Sequence, residues 1–156
     1  LKQTLSTIDI KATPADVETL LAARVRGTLF PDVQQGLMAL ASNFSLVILS
    51  NGDKDALEQT VANLHLPINT VISAEQAGAY KPHAAVYRTA IQELGLQPTE
   101  MMHVASHAWD IRGAKACGLA GAFINRTGAT YVESPFQPDL EVRDFNHLAK
   151  ELSHSA

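Results

Sequence analysis

Residues 44–53 read Phe44-Ser45-Leu46-Val47-Ile48-Leu49-Ser50-Asn51-Gly52-Asp53. From Phe44 to Leu49 the run is short and nearly continuous in apolar side chains. That is the pattern of a strand covered on both faces rather than one. It stops in Ser50-Asn51-Gly52-Asp53, small polar residues that turn the chain and open a helix. A doubly covered strand leading straight into a helix predicts a parallel sheet.

The chain repeats this alternation downstream. Ala56, Leu57, Thr60, Val61 and Leu64 form the buried stripe of a helix, and residues 69–73 form a second strand. Tyr80-Lys81-Pro82 is a loop, because proline disfavours helix at the residue before it. Val86, Tyr87, Ala90, Ile91 and Leu94 share one helical face, with Gly95 at the C-terminal end. A strand over 101–105, a helix over 108–116 closed by Gly118, and a strand over 120–125 weakened by Gly121 follow. Residues 140–142 make a short fifth strand and 145–152 a terminal helix. Upstream, Thr13-Pro14-Ala15-Asp16 reads as a helix start, with Val17, Leu20, Leu21 and Val25 carrying that helix to about Arg26. Phe30-Pro31-Asp32 opens another, with Val33, Leu37, Leu40 and Ala41 on its apolar face, ending near Asn43. The expected fold is α/β: a doubly wound parallel sheet with helices on both faces.

Composition narrows the function. The chain has 156 residues, 46% of them hydrophobic and 18% charged, which suits one globular domain and excludes a disordered chain. Lysine and arginine total 12 against 16 acids, for a net charge of −4. No basic field exists to hold nucleic acid or an anionic membrane surface. The longest apolar run, Leu46 to Leu49, is far too short for a membrane helix. One cysteine, Cys117, excludes an internal disulfide and fits a reducing, cytoplasmic setting. The first residues, Leu1-Lys2-Gln3-Thr4, carry neither an apolar signal region nor an initiator methionine, so a fragment or a processed chain is expected.

Ligands of doubly wound sheets bind beyond the carboxyl ends of the strands. Three polar clusters occupy those positions: Ser50-Asn51, Lys81 with Tyr87, and Ser106-His107 with Trp109 and Asp110. Each has an ordinary reading. Ser50, Asn51 and Asp53 could merely cap a helix. Lys81 could be a solvated surface cation and Tyr87 core filler. Asp110 could be a dipole partner at a helix N-terminus, and His107 a surface histidine. The functional reading treats Ser50-Asn51-Gly52 as an anion holder, Lys81 as a fixed cation, and Ser106, His107 and Asp110 as an acid–base group. The remaining histidines (His65, His83, His103, His147, His154) show no metal-ligand spacing. Cys117 reads as buried rather than reactive.

Four segments in order resemble the L-2-haloacid dehalogenases, the type II branch of the haloacid dehalogenase superfamily. They are Leu49-Ser50-Asn51-Gly52, Tyr80-Lys81-Pro82 with Val86-Tyr87, Ser106-His107-Ala108-Trp109-Asp110 with Gly113-Ala114-Lys115, and Ile124-Asn125-Arg126-Thr127-Gly128. The tail Pro138-Asp139-Leu140-Glu141-Val142 is similar too. The resemblance implies a Rossmann-like core over 31–156, with residues 1–30 the second half of a helical cap and its return to the core. It implies hydrolysis of small 2-haloacids without a cofactor or metal: an aspartate displaces halide, and water cleaves the aspartyl ester. In that scheme Lys81 pairs with the nucleophile and Asp110 helps activate the water. Ser50 and Asn51 hold substrate and help receive halide, while Tyr87 and Trp109 line the site. His107 stands where the family pattern has asparagine, after Ser106.

The family's opening strand, with its Asp-x-x-Gly-Thr-Leu signature, has no counterpart. Gly27-Thr28-Leu29-Phe30 is superficially similar, but residues 22–26 are Ala, Ala, Arg, Val and Arg, without an aspartate. The chain is therefore expected to be the C-terminal part of a longer enzyme and inactive alone, with the slot of that strand, between the strands ending at Ser50 and Ala105, closed by re-pairing, by a partner chain (a homodimer or strand complementation) or by residues outside these 156. Two alternatives stand beside this reading. One is a magnesium-dependent phosphatase of the same superfamily, although Ala105-Ser106 replace the Gly-Asp such enzymes use. The other is a truncated interaction module without catalysis.

Overall fold

The computed structural model describes residues 13–24 and 27–153. Residues 1–12 of the expected cap segment, and Val25 and Arg26, expected to finish the first helix, lie outside the described residues. The elements in chain order are α1 (Pro14–Arg24), α2 (Val33–Ala41), β1 (Val47–Ser50), α3 (Lys54–Asn63), β2 (Thr70–Ser73), α4 (Ala84–Leu94), β3 (Met102–Ala105), α5 (Ala108–Ala116), β4 (Ala120–Ile124), β5 (Leu140–Val142) and α6 (Phe145–Ser153). Short 3-10 turns, Ala74–Ala77 and Pro98–Glu100, precede α4 and β3.

Local chemistry sets most of these boundaries. At α1, Thr13 Oγ1 accepts the Asp16 N–H at 3.2 Å while the Asp16 carboxylate accepts the Thr13 N–H at 2.8 Å, so two otherwise orphaned donors are satisfied reciprocally. At α3 the cap is Asp53, whose carboxylate accepts the Ala56 N–H at 3.0 Å. Gly95 ends α4 in the left-handed conformation at φ 64°. One boundary differs from expectation: β1 starts at Val47, not Phe44. The Asn43 and Phe44 N–H groups still donate to the Leu40 carbonyl, so the end of α2 holds that stretch, and Phe44 is exposed.

Strand pairing is parallel throughout, as expected of covered strands. Among the described residues the strands fall into two sheets, divided between the strand ending at Ser50 and the strand ending at Ala105. β1 pairs with β2 in the register Val47↔Thr70 to Ser50↔Ser73. β3 pairs with β4, and β4 with β5, in the order β3-β4-β5. Among the described residues, β1 and β3 each have one strand neighbour. Their burial reflects it: β1 and β3 are half-buried throughout, whereas β4 is buried from Gly121 to Ile124.

Helices cover two faces of the β3-β4-β5 sheet. On one, Leu40, Ala122, Ile124, Val142, Leu148 and Ala149 form a core with Met102 and Val104 against it. This core is sealed by α2 and α6, which approach closely at Gly36. A Cβ there would lie 2.5 Å from Phe145 Cβ and 2.7 Å from the Phe145 carbonyl carbon, so only glycine fits. On the other face Tyr87, Ala114 and Leu119 gather with Leu49, Ile91 and Met101. Leu49 thereby ties β1 to the larger sheet through side-chain packing.

Asp32, at the start of α2, is a long-range fastener. It accepts the Arg126 guanidinium through both oxygens at 2.8 and 2.9 Å, and the Phe145 N–H at 2.9 Å. Arg126 also lies 4.3 Å over the Phe30 ring. The Arg126 hydrogen bonds outweigh burial and hold the Asp32 carboxyl down at about 2, against an ordinary value of 3.8. A depressed carboxyl contributes stability above its unfolded value and loses it as pH falls through the folded one, here about 2 kcal/mol. Asp32→Asn is therefore expected to lower the urea midpoint at pH 7, with the difference from the parent narrowing between pH 4 and pH 2. An equal difference at both ends of that window would contradict the assignment.

Candidate functional site

The first cluster is positioned by the β1–α3 turn. Because Asp53 does the capping, Ser50 and Asn51 are left for other work. Ser50 Oγ accepts the Gly52 N–H at 3.1 Å and keeps its own hydrogen to donate. The buried Ser73, at the end of β2, donates its hydroxyl to the Gly52 carbonyl at 2.7 Å and fixes the turn. Asn51 reaches across to the next cluster. Its Oδ1 accepts the Lys81 N–H at 2.7 Å and its Nδ2 donates to the Lys81 carbonyl at 3.3 Å. The carboxamide thus holds the lysine loop as a backbone strand would.

Lys81 is aimed inward by that clamp. Its Nζ donates to the Leu49 carbonyl, one residue before the end of β1, at 2.9 Å. The same ammonium donates to Asp110 Oδ2 at 2.7 Å. The two side chains are 10% and 7% exposed, so the pair is nearly dry. Solvated surface lysine, the ordinary reading, is excluded by this burial.

Asp110, in the first turn of α5, has three partners. Besides Lys81, its Oδ1 accepts the Tyr87 hydroxyl at 2.7 Å. His103 Nε2 lies 3.0 Å from the same oxygen. Burial acts to raise the carboxyl, but His103, Lys81 and Tyr87 together hold it well below the ordinary carboxylate value. Tyr87 responds in the opposite sense: burial, then the hydrogen bond to Asp110 and its charge, push its phenol far up, so it stays a hydroxyl donor. Tyr87 is fully buried, both a core residue and the floor of Asp110. Its ring has room because Gly113 faces it; a Cβ there would sit 2.5 Å from Tyr87 Oη.

The structure joins Asn51, Lys81, Asp110 and Tyr87 through hydrogen bonds, with Ser50 next to Asn51 at the end of β1. It sets His107 and Ser106 apart from Asp110. Both are exposed, and the His107 ring rests on Trp109 at 5.4 Å. His107 contributes to α5 only through its backbone carbonyl, which accepts the Asp110 N–H at 3.0 Å. Trp109 is half-buried. Cys117 is half-buried too, with burial pushing its thiol up.

Sequence reasoning missed His103 and Ser73. The signal for His103 was present. An imidazole flanked by Met102 and Val104 in a covered strand must find a polar partner. Ser73 sits at a strand end like many serines, and nothing in the sequence separates it from a simple cap.

A family model described as a haloacid dehalogenase-like hydrolase matches residues 2–118. The chain is 36% identical over 127 residues to the (S)-2-haloacid dehalogenase of Pseudomonas sp. (strain YL), covering 80% of this chain and 55% of that protein. It is 35% identical over 116 residues to haloacetate dehalogenase H-2 of Moraxella sp. (strain B), covering 72% and 52% respectively. The chain spans about half the length of the curated relatives it matches. The solved L-2-haloacid dehalogenase of Xanthobacter autotrophicus with chloropropionic acid covalently bound superposes with a TM-score of 0.86 at 28% identity, covering 99% of this chain and 73% of that one. The same α/β layout, the same order of motifs and these matches agree: the chain belongs to the haloacid dehalogenase-like hydrolases.

Proposed function

We propose that this chain carries the substrate-holding and water-activating part of a hydrolytic 2-haloacid dehalogenase, and that the attacking aspartate comes from a β-strand these residues do not contain. The observation that carries the reading is the Lys81 ammonium. It joins the Leu49 carbonyl at the end of β1 to Asp110 on α5, between two strands that each have one neighbour among the described residues. A carboxylate delivered there meets a cation already fixed in place.

The chemistry balances with these groups. The incoming carboxylate oxygen bonds to the substrate carbon bearing the halogen, and the carbon–halogen bond breaks with its electron pair leaving as halide. The ester formed is then attacked at its carbonyl by water. Asp110 orients that water and helps remove its proton, which yields the 2-hydroxyacid and frees the carboxylate. Lys81 offsets the charge of the attacking group, and Ser50 offers its free hydroxyl hydrogen to the substrate anion or the departing halide. Asn51 acts through the lysine loop it clamps. Trp109 and the exposed Ser106 and His107 form the nearby wall, where pocket shape would choose among small haloacids. In this reading α1 is the remnant of a helical cap over a core beginning near residue 31. The open strand edges suit a homodimer or strand complementation, and the half-buried Cys117 suits the reducing cytoplasm.

The phosphatase alternative is weakened by the donor set. Asp110 commits one oxygen to an ammonium and the other to a hydroxyl and an imidazole, which compete with a divalent cation. Halide release from 2-chloropropionate separates the readings. The 156-residue chain alone is expected to release none, and the protein in its full encoded length is expected to release chloride, lost in Lys81→Ala. Magnesium-dependent hydrolysis of p-nitrophenyl phosphate by that protein, without chloride release, would overturn the proposal.

A further inference from the structure

We infer that His103 is a positioning residue for Asp110, an imidazole built into β3 that holds the Oδ1 edge of the carboxylate so that Oδ2 stays aimed at Lys81. The inference rests on the proposed function for its kinetic consequence and on geometry alone for the pairing.

Alternation along β3 places it. Met102 and Val104 pack into the core beneath α2 and α6, so His103 lies on the opposite face, toward α4 and α5. There its ring meets Tyr87 edge to face, with centroids 5.6 Å apart and planes at 88°. The side chain is 10% exposed. Its Nε2 is buried 3.0 Å from Asp110 Oδ1, and that contact lacks the angular geometry of a hydrogen bond. No other acceptor takes Nε2. The nitrogen is held against Asp110 by proximity rather than by a directional bond.

The groups facing His103 are few. Asp110 comes from α5, with Lys81 on its far oxygen, and Tyr87 comes from α4. Across the sheet its register partner is Gly121, and the space above that glycine is filled by Ile111 and the Lys115 stem, whose ammonium is bound to Asp139. Asp110 is the anion in contact with the imidazole.

Two measurements on the protein in its full encoded length test this. The first is a double-mutant cycle in the urea midpoint at pH 7 with Asp110→Asn, His103→Phe and both together. The two changes are expected to be non-additive, the second costing less once the first is made; strict additivity overturns the pairing whatever the enzyme does. The second is chloride release by the parent, His103→Phe and His103→Gln. Both variants are expected to lower kcat about tenfold with KM little changed, a fraction of the roughly 100- to 10,000-fold effect of a positioned base. A parental kcat in both variants, or a change confined to KM, overturns the positioning role. Non-additivity in a protein that releases no chloride upholds the pairing and instead overturns the dehalogenase reading.

Discussion

Asp110→Asn will lower the melting temperature of the protein by roughly 10 °C. The substitution keeps the shape of the side chain and deletes its charge. The Lys81 ammonium, 10% exposed, is left without an anion. Breaking one side of a buried ion pair costs about 3–5 kcal/mol, and in a chain of this size each kcal/mol moves the midpoint by about 2–4 °C. The effect has a defined pH dependence. The Asp110 carboxyl is held well below its ordinary value of 3.8, so its contribution is complete above that value and fades as pH falls through the folded one. Parent and variant are expected to converge in strong acid. Lys81→Met added to Asp110→Asn should restore part of the loss, because the stranded charge goes with it. Unchanged melting at pH 7 would mean the two side chains do not meet.

Gly113→Ala is the second large effect, and it works by crowding. A Cβ at this position would lie 2.5 Å from Tyr87 Oη, 2.7 Å from Cε2 and 2.8 Å from Cζ. Tyr87 is fully buried and has nowhere to withdraw. Overpacking of this kind costs about 1–3 kcal/mol. Displacing the phenol also breaks its bond to a charged carboxylate, worth about 1.5–3 kcal/mol. A fall in the urea midpoint equivalent to about 3 kcal/mol is expected. The pair can be checked against itself. Tyr87→Phe removes the nearest clashing atom, so it should be less damaging in the Gly113→Ala background than in the parent. Strict additivity would show that Gly113 does not make room for Tyr87.

Much of the site could be read from residues standing near strand ends. Lys81 before a proline, and Asp110 two residues into a helix after a strand, are positions where a parallel sheet gathers its polar groups. What could not be read is which atoms those groups would reach. Asn51 reads as an anion holder, and its carboxamide turns out to clamp the Lys81 backbone. His107 looked like the acid–base imidazole because it stands three residues from Asp110, yet its ring lies on Trp109. His103, seven residues from Asp110 and inside a strand, is the imidazole in contact with it. In a strand that turns into a helix, closeness in sequence says little about which face a side chain takes.

The sequence by itself determined the strand–helix alternation, the parallel sense of the pairing and the family, since periodicity, turn residues and local motifs act within about ten residues of themselves. Only the tertiary structure decided that Asp32 fastens Arg126 from 94 residues away, and that Asp110 is held by Lys81, Tyr87 and His103 together. Those outcomes depend on which buried polar group lies within 3 Å of which other, and that is set by how whole elements pack, a constraint that no single segment contains.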